Sequence, residues 1–124
     1  MNIIDRYISE YQAVIKGSIP IDEVRSLLDE YAVDNDLYAE WLSNTGGGPI
    51  GPDWYEGIED LRESQEKVAK AGWDISGFVI GWDGSGNPIV LDANGSIYAP
   101  DHNFGGKHLI AVSFEALLNA NICS

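Results

Sequence analysis

Residues 77–116 constrain the fold more than any other part of the chain. They open with Gly77-Phe78-Val79-Ile80-Gly81-Trp82, Pro88-Ile89-Val90-Leu91 and Ile97-Tyr98-Ala99. These apolar runs are separated by Asp83-Gly84-Ser85-Gly86 and by Ala93-Asn94-Gly95. Glycine and asparagine reach the positive φ angles that tight hairpin turns require. Short runs of Val, Ile, Phe and Trp between such turns predict antiparallel strands in a meander. After a polar loop, Leu109-Ile110-Ala111-Val112 continues the pattern, and Ser113 is placed to cap a last short helix through Leu117 and Leu118.

The rest of the chain reads as helical. Ile4, Tyr7, Ile8, Tyr11, Val14 and Ile15 recur at three-and-four spacing, predicting a helix over 3–16 with Gly17 as its stop. A second helix is expected to start near Pro20, with Asp22 and Glu23 at its positive end. Its apolar face is Ile21, Val24, Leu27, Leu28 and Tyr31. Asp34 or Asn35 caps a third, which carries Leu37, Trp41 and Leu42. The glycine- and proline-rich segment 44–52 reads as a loop, followed by an edge strand at Asp53-Trp54-Tyr55. A helix over 56–71 turns Leu61, Val68 and Ala69 inward and its charged residues to solvent, with Gly72 as the stop. The expected fold is therefore α+β: an antiparallel β-meander sheet with helices packed on one face. At 124 residues the chain reads as one domain over 1–124 with a single core.

Charge narrows the function. Twenty Asp and Glu face seven Lys and Arg, a net charge of −13. Such a field repels nucleic acid and anionic membranes and attracts basic partners. No apolar run has the length of a membrane span, and the start Met1-Asn2-Ile3-Ile4-Asp5-Arg6 lacks a signal-peptide pattern. Cys123 is the only cysteine, so no disulfide forms within the chain. Together these predict a cytoplasmic protein.

The chemical motifs fail one after another. Gly46-Gly47-Gly48-Pro49-Ile50-Gly51 matches a dinucleotide loop in letters, but a helix precedes it and Pro49 removes an amide. Gly105-Gly106-Lys107-His108 lacks the first glycine and the final hydroxyl of a phosphate loop. Asp83-Gly84-Ser85-Gly86-Asn87 begins like a calcium loop, but Pro88 and Asn94 replace the glycine and glutamate it needs. His102, His108 and Cys123 have no zinc spacing, and no nucleophile elbow accompanies Asp101 and His102. The expectation is no cofactor, no metal and no catalysis. Trp41 reads as core, whereas Trp82 at a strand end is either half-buried or a contact anchor.

Several elements in order carry a family resemblance. They are the turn Asp83-Gly84-Ser85-Gly86-Asn87-Pro88, a strand ending Leu91-Asp92, Gly95-Ser96-Ile97-Tyr98, the pair Asp101-His102, and Ile110-Ala111-Val112-Ser113-Phe114-Glu115-Ala116-Leu117. This C-terminal third resembles the SUKH superfamily of Smi/Knr-like proteins, many of which are bacterial immunity proteins. The chain departs from that pattern at 34–38, where a Leu-Pro is common, and at Asn103, where an acid commonly follows the Asp-His pair. The resemblance implies a non-enzymatic protein that binds and neutralises a toxin, such as a basic nuclease domain, without touching nucleic acid itself. Its alternative is a housekeeping regulatory scaffold of the same superfamily. An enzyme acting on a small cationic substrate is the third possibility. The expected partner-binding residues are Trp82, Asp83, Asp92, Tyr98, Asp101 and His102, with the three aspartates forming one acidic rim at strand ends.

Overall fold

The computed structural model describes residues 2–101 and 106–122. His102 and Cys123 lie outside the described residues. Three helices come first: α1 (Ile3–Glu10), α2 (Ile21–Glu30) and α3 (Asp36–Thr45). A hairpin of β1 (Gly48–Ile50) and β2 (Asp53–Tyr55) follows, then α4 (Ile58–Lys70). The meander comprises β3 (Phe78–Trp82), β4 (Pro88–Leu91), β5 (Ile97–Pro100) and β6 (Lys107–Ala111), and α5 (Phe114–Ala120) closes the chain. The six strands form one antiparallel sheet in sequence order. The expected α+β meander is therefore the fold, but the helices are not confined to one face, since α4 also packs Val68 against the second side of the sheet.

Alternation along the strands builds two cores. Phe78, Ile80, Ile89, Leu91 and Ile97 face one side and pack with α1, α2, α3 and α5. At the centre lies Trp41, fully buried, with the rings of Tyr7, Phe114, Tyr38 and Tyr55 around it. The intervening residues Val79, Val90 and Tyr98 face the other side and meet Val68 of α4, with Trp73, Ile75 and Trp82 around them. Helix α4 lies beside β3 and serves both cores, placing Leu61 in the first and Val68 in the second. Gln65 fixes it there. Its side-chain amide accepts from the N–H of Val79 (2.9 Å) and donates to the Val79 carbonyl (2.7 Å), so it satisfies the backbone of β3 beyond the last pairing with β2.

Four local expectations need correction or refinement. Helix α1 stops at Glu10, and residues 12–14 form a 3₁₀ turn. Tertiary bonds end it: the Tyr11 ring stacks on Tyr7 at 4.3 Å, and its hydroxyl donates to the Asn121 carbonyl and accepts from the Gly51 N–H. The glycine-rich segment contains β1, because pairing with β2 organises a stretch whose composition alone reads as loop. Ala69 is exposed, since the inward stripe of α4 is Leu61, Ser64 and Val68 and Ala69 falls one step around the helix. Of the two cap candidates, Asn35 accepts from the Tyr38 N–H, while Ser113 caps α5 as expected.

Candidate functional site

The antiparallel order separates the expected rim. Asp83 follows β3 and Asp101 follows β5, so both lie at one end of the sheet. Asp92 follows β4 and lies at the opposite end, about 15 Å away along the strands. There it lines an open hollow of about 680 Å³ with Tyr31, Asp34 and Asn94. The three aspartates therefore do not form one surface.

Asp83 and Asp92 instead share a structural task. Asp83 accepts from the N–H groups of Ser85 (2.8 Å) and Asn87 (2.9 Å). Asp92 accepts from Asn94 (2.9 Å) and Ser96 (3.0 Å) in the same two-and-four pattern. Each turn places a glycine at its fourth residue, Gly86 at φ +84° and Gly95 at φ +88°, where a side chain would be strained. The aspartates thus hold the hairpins through side chain to backbone bonds. Asp101 donates its N–H to the Gly106 carbonyl. Tyr98 is 6% exposed, belongs to the second core and lies under the Lys107 ammonium at 4.5 Å, so its ring is mostly covered.

Trp82 is half-buried. Its indole N–H donates to Ser64 Oγ at 3.2 Å, and the Lys67 ammonium stands 4.8 Å from the ring centre. The fold gives it a neighbour that sequence reading did not select. Trp54 pairs with Trp82 across β2 and β3, faces the same side, and is 43% exposed. Gly81 permits this approach, since a Cβ there would meet the Trp54 carbonyl oxygen at 2.4 Å. Beside the Trp82 ring, a hollow of about 310 Å³ is lined by Glu56, Asp60, Glu63, Ser64, Lys67 and Trp82. Burial raises the Glu56 pKa, and the nearby Asp60 raises it further, against the opposing pull of Lys16; Glu59 raises it again and Lys67 offsets. Both lysines are engaged: Lys16 bonds Glu59 at 3.3 Å and reaches toward Trp54, and Lys67 covers Trp82. The face joins rigid aromatic area to a carboxylate surplus.

A second hollow of about 280 Å³ opens on the helix side at the same end. The sheet curls so that Ile50, Asp53 and Tyr55 from the first hairpin face Ala99, His108 and Ile110 across it, with Asp83, Leu117 and Asn121 completing the wall. Burial raises the Asp53 pKa, and the Asp83 carboxylate adds to the effect. Burial likewise keeps the Tyr55 phenol protonated, with Asp53 reinforcing it. The Tyr55 hydroxyl is buried and has no hydrogen-bond partner among the described residues.

Trp54, Glu56, Asp53, Tyr55 and His108 were absent from the expected set. The alternation Asp53-Trp54-Tyr55 in a short strand was the available signal, since one aromatic must face out when the other faces in. Among the described residues no group of three His, Cys, Asp or Glu is placed to hold a metal ion, and no helix is long and apolar enough to cross a membrane. No protein-family model matches the chain, and neither a curated protein nor a solved structure shows significant similarity to it.

Proposed function

We propose that this chain is a non-enzymatic binding protein that captures a basic protein on the face carrying Trp54 and Trp82. The partner is a toxin, a nuclease domain by preference, and capture neutralises it. The observation carrying the reading is the exposed Trp54 paired across the strands with Trp82, whose ring borders a hollow where Glu56, Asp60 and Glu63 outnumber Lys67. Tryptophan supplies a large rigid contact at low entropy cost and is enriched among residues that dominate interface energy. Carboxylates around it steer a basic partner and disfavour acidic ones. A nuclease is basic where it holds nucleic acid, so the same field that excludes nucleic acid from this chain draws such a domain to it. The toxin assignment draws on the resemblance of residues 83–117 to SUKH immunity proteins.

The test is to search the genes beside this protein's own for a toxin with a basic nuclease domain and to titrate this protein into that domain, reading nuclease activity and association rate. Stoichiometric inhibition is expected, with an association rate that falls steeply as salt rises. Trp54→Ala is expected to weaken binding by about 30-fold or more, the size of an interface hot spot. A partner of neutral or acidic charge, bound at a rate insensitive to salt, would remove this reading and favour the regulatory scaffold.

A further inference from the structure

We propose that Asn94 is a site of self-modification: the Gly95 backbone nitrogen cyclises onto its side-chain amide, and the turn at 92–96 sets the rate. The inference is independent of the basic-partner reading. Asn94 is the only asparagine in the chain that precedes a glycine. The space beside Gly95 is open, the nearest atom to a Cβ there being Asn35 Nδ2 at 4.0 Å. Asn94 itself is exposed, and its side chain makes no hydrogen bond among the described residues. Its carboxamide carbon is therefore open both to the next nitrogen and to water. The twin turn has the opposite arrangement. The Asn87 side chain donates to Asp83 Oδ2 at 3.2 Å, and the residue after it is Pro88, whose nitrogen has no proton to lose. Asp83 precedes Gly84, but a carboxylate is a poor electrophile, and this one accepts from Ser85 and Asn87.

The reaction balances with water alone. The Gly95 nitrogen loses its proton to solvent base and bonds to Asn94 Cγ. The Cγ–Nδ2 bond breaks, and the side-chain nitrogen leaves as ammonia. Water then opens the cyclic imide at either carbonyl. One product is an aspartate at position 94, and the other is isoaspartate, whose main chain runs through Cγ. In the closed turn the nitrogen is held back. The Gly95 N–H donates to the Asp92 carbonyl at 3.0 Å, and Asp92 Oδ1 gathers the Asn94 and Ser96 amides. Cyclisation waits for local opening, which an exposed turn undergoes far more often than the whole fold. Isoaspartate lengthens the backbone between Leu91 and Ile97, which pair across β4 and β5 and both belong to the first core. That product loosens the middle of the sheet, whereas a plain aspartate at this exposed position does not.

The test is peptide mass spectrometry of the protein aged in mildly alkaline heavy-oxygen water, with an isoaspartyl methyltransferase assay for the product. Amide loss at Asn94 with uptake of the label is expected, at a rate that rises with pH, with isoaspartate as the major product and Asn87 intact. Asp92→Ala, which frees the turn, should speed the loss about fivefold or more, the factor that one hydrogen bond is worth in an opening equilibrium. Asp83→Ala removes the same bonds from the other turn and should leave the rate at Asn94 unchanged, so local opening is told apart from general destabilisation. The isoaspartate fraction should melt earlier than the Asn94→Asp variant. Amide loss at Asn94 no faster than at Asn87 would overturn the site. Equal acceleration by Asp92→Ala and Asp83→Ala, or none by either, would overturn control by the turn.

Discussion

The turns at 83–87 and 92–96 are built alike and surrounded differently. Each begins with an aspartate whose carboxylate gathers two amides, and each places a glycine at positive φ. In both, the first residue's N–H donates to the fifth residue's carbonyl. Around Asp83 the fold adds Asp53, Trp54, Trp82 and His108. Around Asp92 it adds Tyr31, Asp34 and Asn35 from the α2–α3 connection. The local device is therefore the same at both ends, and only its neighbourhood differs.

The largest expected difference between the turns is in partner affinity after charge reversal. Asp83→Lys should weaken binding of the proposed basic partner by about 2 kcal/mol or more. Asp92→Lys inflicts the same turn damage at the far end and should leave affinity within about 0.5 kcal/mol. Calorimetric titration of the folded variants measures both. Equal losses at the two sites would break the distinction between the sheet ends.

The next effect should be the same at both turns. Asp83→Ala and Asp92→Ala each remove two backbone-directed hydrogen bonds, for a cost of about 1–2 kcal/mol. Asparagine retains an acceptor for those amides and should recover most of the loss. Denaturant midpoints for the Asn and Ala pairs check this. A destabilisation confined to one turn would show that the shared geometry does not carry shared energy.

The smallest effect belongs to the Asp83 end alone. The folded pKa of Asp53 is raised, first by burial and then by Asp83, so its ionised form opposes folding. Its contribution is most favourable below the unfolded carboxylate pKa and is lost as pH rises through the folded value. Asp53→Asn should therefore raise the melting temperature slightly at neutral pH, and the gain should vanish at acid pH. A melting temperature lowered at neutral pH would show that Asp53 is compensated where it stands.

The meander was legible because its turns declare themselves over a few residues. Ser113 was legible as a cap for the same reason, and Asn35 as one of two candidates with Asp34. The early end of α1 was hidden, because the bonds of Tyr11 reach Gly51 and Asn121, far along the chain. Strand β1 was hidden because glycine and proline carry no strand pattern, and its partner β2 supplies the order. Tyr98 read as a partner-binding residue; the placement of α4 beside β3 gives that face of the sheet a second core and covers the ring.

Sequence alone determined the parts decided by short-range chemistry: where strands turn, where helices begin, and the sign of the net charge. Tertiary structure alone decided which strand ends coincide and which aromatic rings become neighbours. Trp54 reaches Trp82 through the β2–β3 register and the absence of a side chain at Gly81. Asp53, Tyr55 and His108 share one hollow because the sheet curls. The physical reason is range. A turn's energy is settled among residues a few positions apart, whereas register and curl are settled by core packing over the whole sheet, and no local pattern encodes them.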